Sequence, residues 1–250
     1  MGFDPAWGVV IAAPFIGSFL GTLVLRLPLD EPVLFARSAC PHCRTRLRAI
    51  ELIPFLSWGL QRGRCRTCGH ALGRFYPAIE AAALAIALWA ASRLSGGALV
   101  AGAALGWLLL ALAMVDARTG LLPNPLTAAL AGAGLIAGAV LWPARIGDLV
   151  LGTIAGYGSF VILAWLYRVM RGRAGLGAGD AKLLGAAGVW VGWQGVPEVV
   201  LIAALSGLLW TVINAVAGRS LTMTTRLAFG PHLCLATWIV WLYGPFALSL

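Results

Sequence analysis

Long apolar runs separated by short polar joints make up most of this chain. The runs cover 7–26, 76–95, 98–115, 125–142, 147–168, 181–194, 196–217 and 229–249. Most approach the length of about 20 residues that a helix needs to cross a hydrocarbon core. The predicted fold is therefore an all-α polytopic membrane protein with about eight transmembrane helices. The run 181–194 is short for a crossing, which predicts a helix that is tilted, broken or packed inside the bundle. The first run follows Asp4 and has no basic flank, so it reads as a retained helix rather than a cleaved signal. A single polar interval is long. It divides the chain into a first transmembrane helix (1–27), a cytoplasmic loop domain (28–75) and a helical bundle (76–250).

Composition agrees with this pattern. The chain is 60% hydrophobic and 11% charged, with a mean hydropathy of +0.90. A soluble domain of this length carries far more polar surface. The net charge of +9 and the pI near 10.2 would suit nucleic acid, but the placement of the charges favours a membrane. With the N-terminus outside, sixteen of the eighteen Lys and Arg residues fall on one side, and only Arg93 and Arg145 on the other. That side is then cytoplasmic, where anionic headgroups reinforce it. Small-xxx-small pairs such as Gly17/Gly21, Gly152/Gly156 and Gly188/Gly192 read as close helix packing without chemistry.

The polar interval holds CPHC at 40–43 and CRTC at 65–68. Two such knuckles match a tetrahedral four-cysteine zinc site, with Cys40, Cys43, Cys65 and Cys68 as ligands. A pair of disulfides is the alternative, and a loop in the reducing cytosol disfavours it. Four sulfurs leave no open coordination position, so the metal would be structural. His42 and His70 flank the knuckles as surface residues or substitute ligands. Cys234, in the last run, reads as a small core residue. The segment ELIPFLSWGL (51–60) is apolar and is predicted to lie on the membrane interface or against the bundle.

Two acids stand at the edges of apolar runs. Asp116 ends the third run in MVDARTGLLPNP, and Asp180 opens the sixth in GAGD. In the predicted topology both lie on the cytoplasmic face, 64 positions apart in sequence. Glycines beside Asp180 permit close backbone approach. A structural role is also open, with Asp180 capping a helix and Asp116 merely solvated. If the two meet, they cannot both ionise cheaply. One would hold a proton while the other acts as a base on water attacking a peptide carbonyl. Lys182 would hold the charge of Asp180 or of an oxyanion, or simply reach to the headgroups.

At this point the chain resembles the type IV prepilin peptidases of pilus and type II secretion systems. The resemblance rests on an ordered set: GSFLGTLVLRLP (17–28), RSACPHC (37–43), IPFLSWGLQRGRCRTCG (53–69), RFYPAIE (74–80), MVDARTGLLPN (114–124), GLGAGDAKLL (175–184) and AFGPHL (228–233). It implies a GxGD-type intramembrane aspartic endopeptidase of the bacterial inner membrane. Such enzymes remove the short basic leader of prepilins and pseudopilins at the cytoplasmic boundary. It implies Asp116 and Asp180 as the catalytic pair, supported by Gly177, Gly179 and Lys182, with the four cysteines on Zn2+. Glu80 is a candidate contact for the basic leader, with pairing to Arg74 as the alternative, and Glu51 is a second candidate. Many members also methylate the new N-terminus with S-adenosylmethionine. The family usually has Asn where Gly21 stands, in a region connected with methylation, and often Asp where Asn124 stands.

Two other classes fit parts of the pattern. A transporter would use intramembrane carboxylates as an ion route, though these two share one face instead of lining a path. A zinc-bearing adaptor would use the loop alone. A methyltransferase acting first gains no support from a nucleotide-binding glycine motif.

Overall fold

The computed structural model describes residues 5–33, 37–40, 42–172, 177–218 and 228–244. Arg173, Gly175, Arg219, Arg226 and the end of the run 229–249 lie outside the described residues. Among the described residues there are eight α-helices: α1 (Pro5–Arg26), α2 (Leu56–Leu60), α3 (Phe75–Ala91), α4 (Gly96–Thr119), α5 (Asn124–Leu141), α6 (Ile146–Arg171), α7 (Ala178–Val216) and α8 (Gly230–Tyr243). Among the described residues, five segments are long and apolar enough to cross a membrane: Pro5–Leu29, Gly96–Thr119, Asn124–Leu141, Pro143–Arg171 and Ala178–Val216. The helix α3 is apolar but only 17 residues long. The chain divides into two compact units, 1–111 and 112–250, with the boundary inside α4.

In the first unit, α1 lies along α3. A Cβ on Gly17 would stand 2.7 Å from Glu80 Cα, and one on Gly21 would stand 2.9 Å from the Tyr76 ring. The glycine spacing on α1 is thus a packing device, as the sequence suggested. The joint 27–74 carries little regular structure: short 3-10 turns, α2, and two isolated bridges, Ala39 with Arg46 and Arg64 with Ala71.

In the second unit, helix starts follow local chemistry. Proline occupies the first turn of α5 and of α8, where its missing N–H costs nothing. The sixth and seventh predicted runs form one element, α7, interrupted at Gly192 with φ 70° and ψ 174°. The chain doubles back there. Along α8, Trp241 meets Trp190 at 5.9 Å between ring centroids, before the break. A Cβ on Gly195, just after the break, would stand 3.2 Å from Val240. Further on, Ser206 Oγ lies 3.0 Å from His232 Nδ1, near the start of α8. The second leg of α7 therefore runs antiparallel to α8. The sequence predicted a joint near residue 195, and the turn falls at Gly192 because a left-handed φ suits glycine.

The short first leg of α7 is packed inside this unit, one of the three outcomes its length left open. Leu183, Leu184, Ala187, Val189 and Trp190 are all buried. Its backbone comes against α6, where a Cβ on Gly152 would stand 2.7 Å from the Gly192 carbonyl carbon. The indole of Trp190 donates to the Leu130 carbonyl at 2.9 Å and links the leg to α5.

Candidate active site and metal centre

Asp116 lies in the last turn of α4, three residues before the helix ends at Thr119. The turn closes with Gly120, whose N–H donates to the Asp116 carbonyl at 2.8 Å. The carboxyl group is buried, at 6% exposure. Its Oδ2 accepts a hydrogen bond of 3.0 Å from the Gly230 amide at the start of α8. A Cβ on Gly230 would stand 2.6 Å from that oxygen. Gly230 is the site residue that sequence reasoning missed. Its signal was present in AFGPHL, a glycine just before proline at the mouth of an apolar run.

Asp180 lies in the first turn of α7, where a helix N-terminus favours negative charge. Gly177 is the N-cap residue, so Asp180 is not the cap itself. Its carboxylate reaches back to the Gly177 backbone amide, in the manner of the acid in a capping box. A Cβ on Gly177 would stand 3.0 Å from Asp180 Oδ2, and one on Gly179 would stand 3.2 Å from Leu122 Cβ. Gly177 thus makes room for the Asp180 carboxyl, and Gly179 lets the turn that carries Asp180 approach Leu122. The helical role left open by the sequence is real, and it coexists with a second relationship. Asp116 and Asp180 are near enough to repel each other electrostatically, and both act on the buried Cys234 thiol. The fold brings together two acids 64 positions apart.

Lys182 does not pair with Asp180 here. Its ammonium donates to Asn124 Oδ1 at 2.9 Å. That bond ties the first turn of α7 to the start of α5, close after Asp116 in the chain. Glu80 has a partner other than Arg74. It is buried at 5% exposure, and its Oε2 accepts the Phe55 N–H at 2.9 Å. A buried carboxylate engaged with a backbone amide anchors the joint, and Arg74 is not the partner. Glu51 accepts from Arg66 Nε at 3.1 Å and from the Arg48 amide at 2.7 Å, so its charge too is spent within the loop.

The four cysteines converge, with all four Sγ atoms within 4.8 Å of one another. Cys40 lies 3.9 Å from Cys68, and Cys43 lies 3.9 Å from Cys65. A tetrahedral Zn–S bond of about 2.3 Å gives sulfur edges of about 3.8 Å, so the cluster fits zinc. The cysteines are free thiols, not disulfides. The two knuckles repeat one backbone design. The Cys40 amide donates to the Thr45 carbonyl and the Cys65 amide to the His70 carbonyl. The residue after each second cysteine is left-handed: Arg44 at φ 56° and Gly69 at φ 68°. Hydrogen bonds from the Thr45 hydroxyl and amide hold the Cys43 thiol down to about 6. His42 and His70 stack at 4.3 Å between centroids and stand outside the thiol cluster.

Fold and site together give a chain with several membrane-crossing helices, a four-cysteine cluster able to hold a metal, and two acids close enough to repel each other. Comparison with known proteins gives the family. A model of the Bacterial Peptidase A24 N-terminal domain matches residues 11–94. A model of the Type IV leader peptidase family matches residues 103–212. A prepilin leader peptidase/N-methyltransferase of Aeromonas hydrophila is 35% identical over 261 residues, covering 94% of this chain and 90% of the relative. One of Dickeya chrysanthemi is 37% identical over 260 residues, covering 94% and 92%. One of Burkholderia pseudomallei strain K96243 is 42% identical over 210 residues, covering 83% and 67%. No solved structure gives a significant match. The chain belongs to the type IV leader peptidase family.

Proposed function

We propose that this enzyme is an intramembrane aspartic endopeptidase whose catalytic pair is Asp116 and Asp180. It cuts the basic leader from prepilins or pseudopilins where their apolar helix leaves the membrane on the cytoplasmic side. What supports this reading is that the two carboxylates, carried on two helices by residues far apart in sequence, lie near enough to repel each other. One carboxylate takes a proton from water as its oxygen bonds to the scissile carbonyl carbon. The other gives its proton to the carbonyl oxygen. The resulting diol collapses, the C–N bond breaks, and the leaving amine takes a proton from the pair. Gly230 holds one oxygen of Asp116 in place and leaves the other for water. Lys182 acts through Asn124 and positions Asp180 without touching it.

Zinc on Cys40, Cys43, Cys65 and Cys68 supplies a structural tie, since four thiolates close its coordination. A loop with so little buried apolar surface gains most of its order from such a clip. The basic face and the arginine-rich loop support an N-terminus outside and a cytoplasmic site.

N-methylation of the new N-terminus by S-adenosylmethionine is the second activity, supported by the double name of the relatives. The glycine at position 21 bears on it. Here the Tyr76 ring occupies the space an asparagine side chain would enter. Mass spectrometry of a prepilin substrate tests both steps. Loss of the leader mass reports cleavage, and addition of one methyl in the presence of S-adenosylmethionine reports transfer. Cleavage at the wild-type rate by Asp116→Asn or Asp180→Asn would refute the pair.

A further inference from the structure

Between the zinc knuckles, the segment 49–60 takes no part in the site. Its apolar side chains are uncovered: Ile50 is 68% exposed, Leu56 53% and Leu60 74%, with Leu52 and Phe55 exposed as well. Contiguous apolar surface of this kind marks a place for an apolar partner. The first unit fixes its level. The Phe55 amide is bound by Glu80, and the same carboxylate accepts the Ser18 hydroxyl. Ser18 and the adjacent Gly17, which touches Glu80, belong to the membrane-crossing segment Pro5–Leu29. From Ser18 to the end of α1 at Arg26 is eight residues, or about 12 Å of helix. At Phe55 the joint is thus held by a carboxylate packed between α1 and α3, beside a helix apolar enough to cross a membrane. Phe55 also has φ 58°, a costly conformation for a residue with a side chain, which the Glu80 bond helps hold.

We propose that segment 49–60 is a wedge seated in the interfacial layer of the bilayer beside α1 and α3. Ile50, Leu52, Leu56 and Leu60 enter the boundary between headgroups and acyl chains. Arg48 and Arg62, exposed at the two ends of the segment, meet lipid phosphates. The arrangement is that of an interfacial segment with apolar residues on one side and basic residues at the rim. The wedge would hold the zinc-bearing joint down on the membrane.

The test uses the whole protein in nanodiscs of phosphatidylethanolamine and phosphatidylglycerol, doped with a phospholipid carrying a diazirine near the glycerol. After illumination, lipid adducts are mapped by peptide mass spectrometry. The proposal expects adducts on 49–60 to exceed those on 64–73 several-fold. It also expects the double variant L56E/L60E to lose them while retaining zinc. Equal labelling of the two peptides would overturn it. So would undiminished labelling of the folded double variant.

Discussion

The Gly230 amide and the Asp116 carboxylate are joined by a 3.0 Å hydrogen bond between the start of α8 and the last turn of α4. Nothing larger than hydrogen fits at position 230 without moving the acid, because a Cβ there would stand 2.6 Å from Asp116 Oδ2. Gly230→Ala is expected to cost about 1–3 kcal/mol of stability, as overpacking does, and to lower kcat strongly with little change in KM. Cleavage kinetics on a prepilin peptide check this. A variant with wild-type kcat would show that the bond does not orient Asp116.

Asp116→Asn and Asp180→Asn should each reduce cleavage by about 10²–10⁴-fold or more, the usual worth of a general acid or base. Both proteins should still insert in the membrane and bind zinc. Their double variant should be no slower than the worse single one, because the two acids work as a unit. Single-turnover assays with all three proteins measure this coupling.

Zinc retention should depend on pH in a predictable direction. The Cys43 thiol is held down to about 6 by Thr45, well below the ordinary thiol range. A thiolate favoured in this way supports the metal site at higher pH, and the support is lost as pH falls through about 6. Thr45→Ala removes the hydroxyl donor and should move the midpoint of zinc release to higher pH. A chelator-coupled titration of the two proteins shows the displacement. Coincident curves would take Thr45 out of the metal site.

The bond between Lys182 and Asn124 lies at the surface. Lys182→Met should therefore cost less than about 1 kcal/mol in stability. Its effect should appear in catalysis, because the bond links the turn carrying Asp180 to the chain just beyond Asp116. Lower kcat in Lys182→Met, recovered in part by Lys182→Arg, is the expected pattern. Equal rates for all three proteins would leave the lysine as a headgroup contact only.

Much of this protein is written in local order. Apolar run length marked the helices, because a bilayer demands about 20 apolar residues per crossing. Paired Cys-x-x-Cys knuckles marked the four-cysteine cluster, because that spacing suits a tetrahedral thiolate site. Asp116 and Asp180 stood out because charge at the edge of an apolar run is costly. Partners were not legible in the same way. Glu80 looked like a substrate contact or an Arg74 partner, and only the packing of α1 on α3 showed it holding the Phe55 amide. Lys182 read as holding charge at Asp180 or an oxyanion, or as reaching to the headgroups, and only the approach of α5 to α7 gave it Asn124. Gly230 looked like one more glycine in an apolar chain until α8 was set against Asp116. The sequence alone determined that the chain is helical and apolar enough to cross a membrane and which four cysteines could hold a metal, since those properties follow from composition and spacing along one stretch. Only the tertiary structure decided who touches whom across helices, since a hydrogen bond between distant residues depends on a fraction of an ångström in packing that no local pattern encodes.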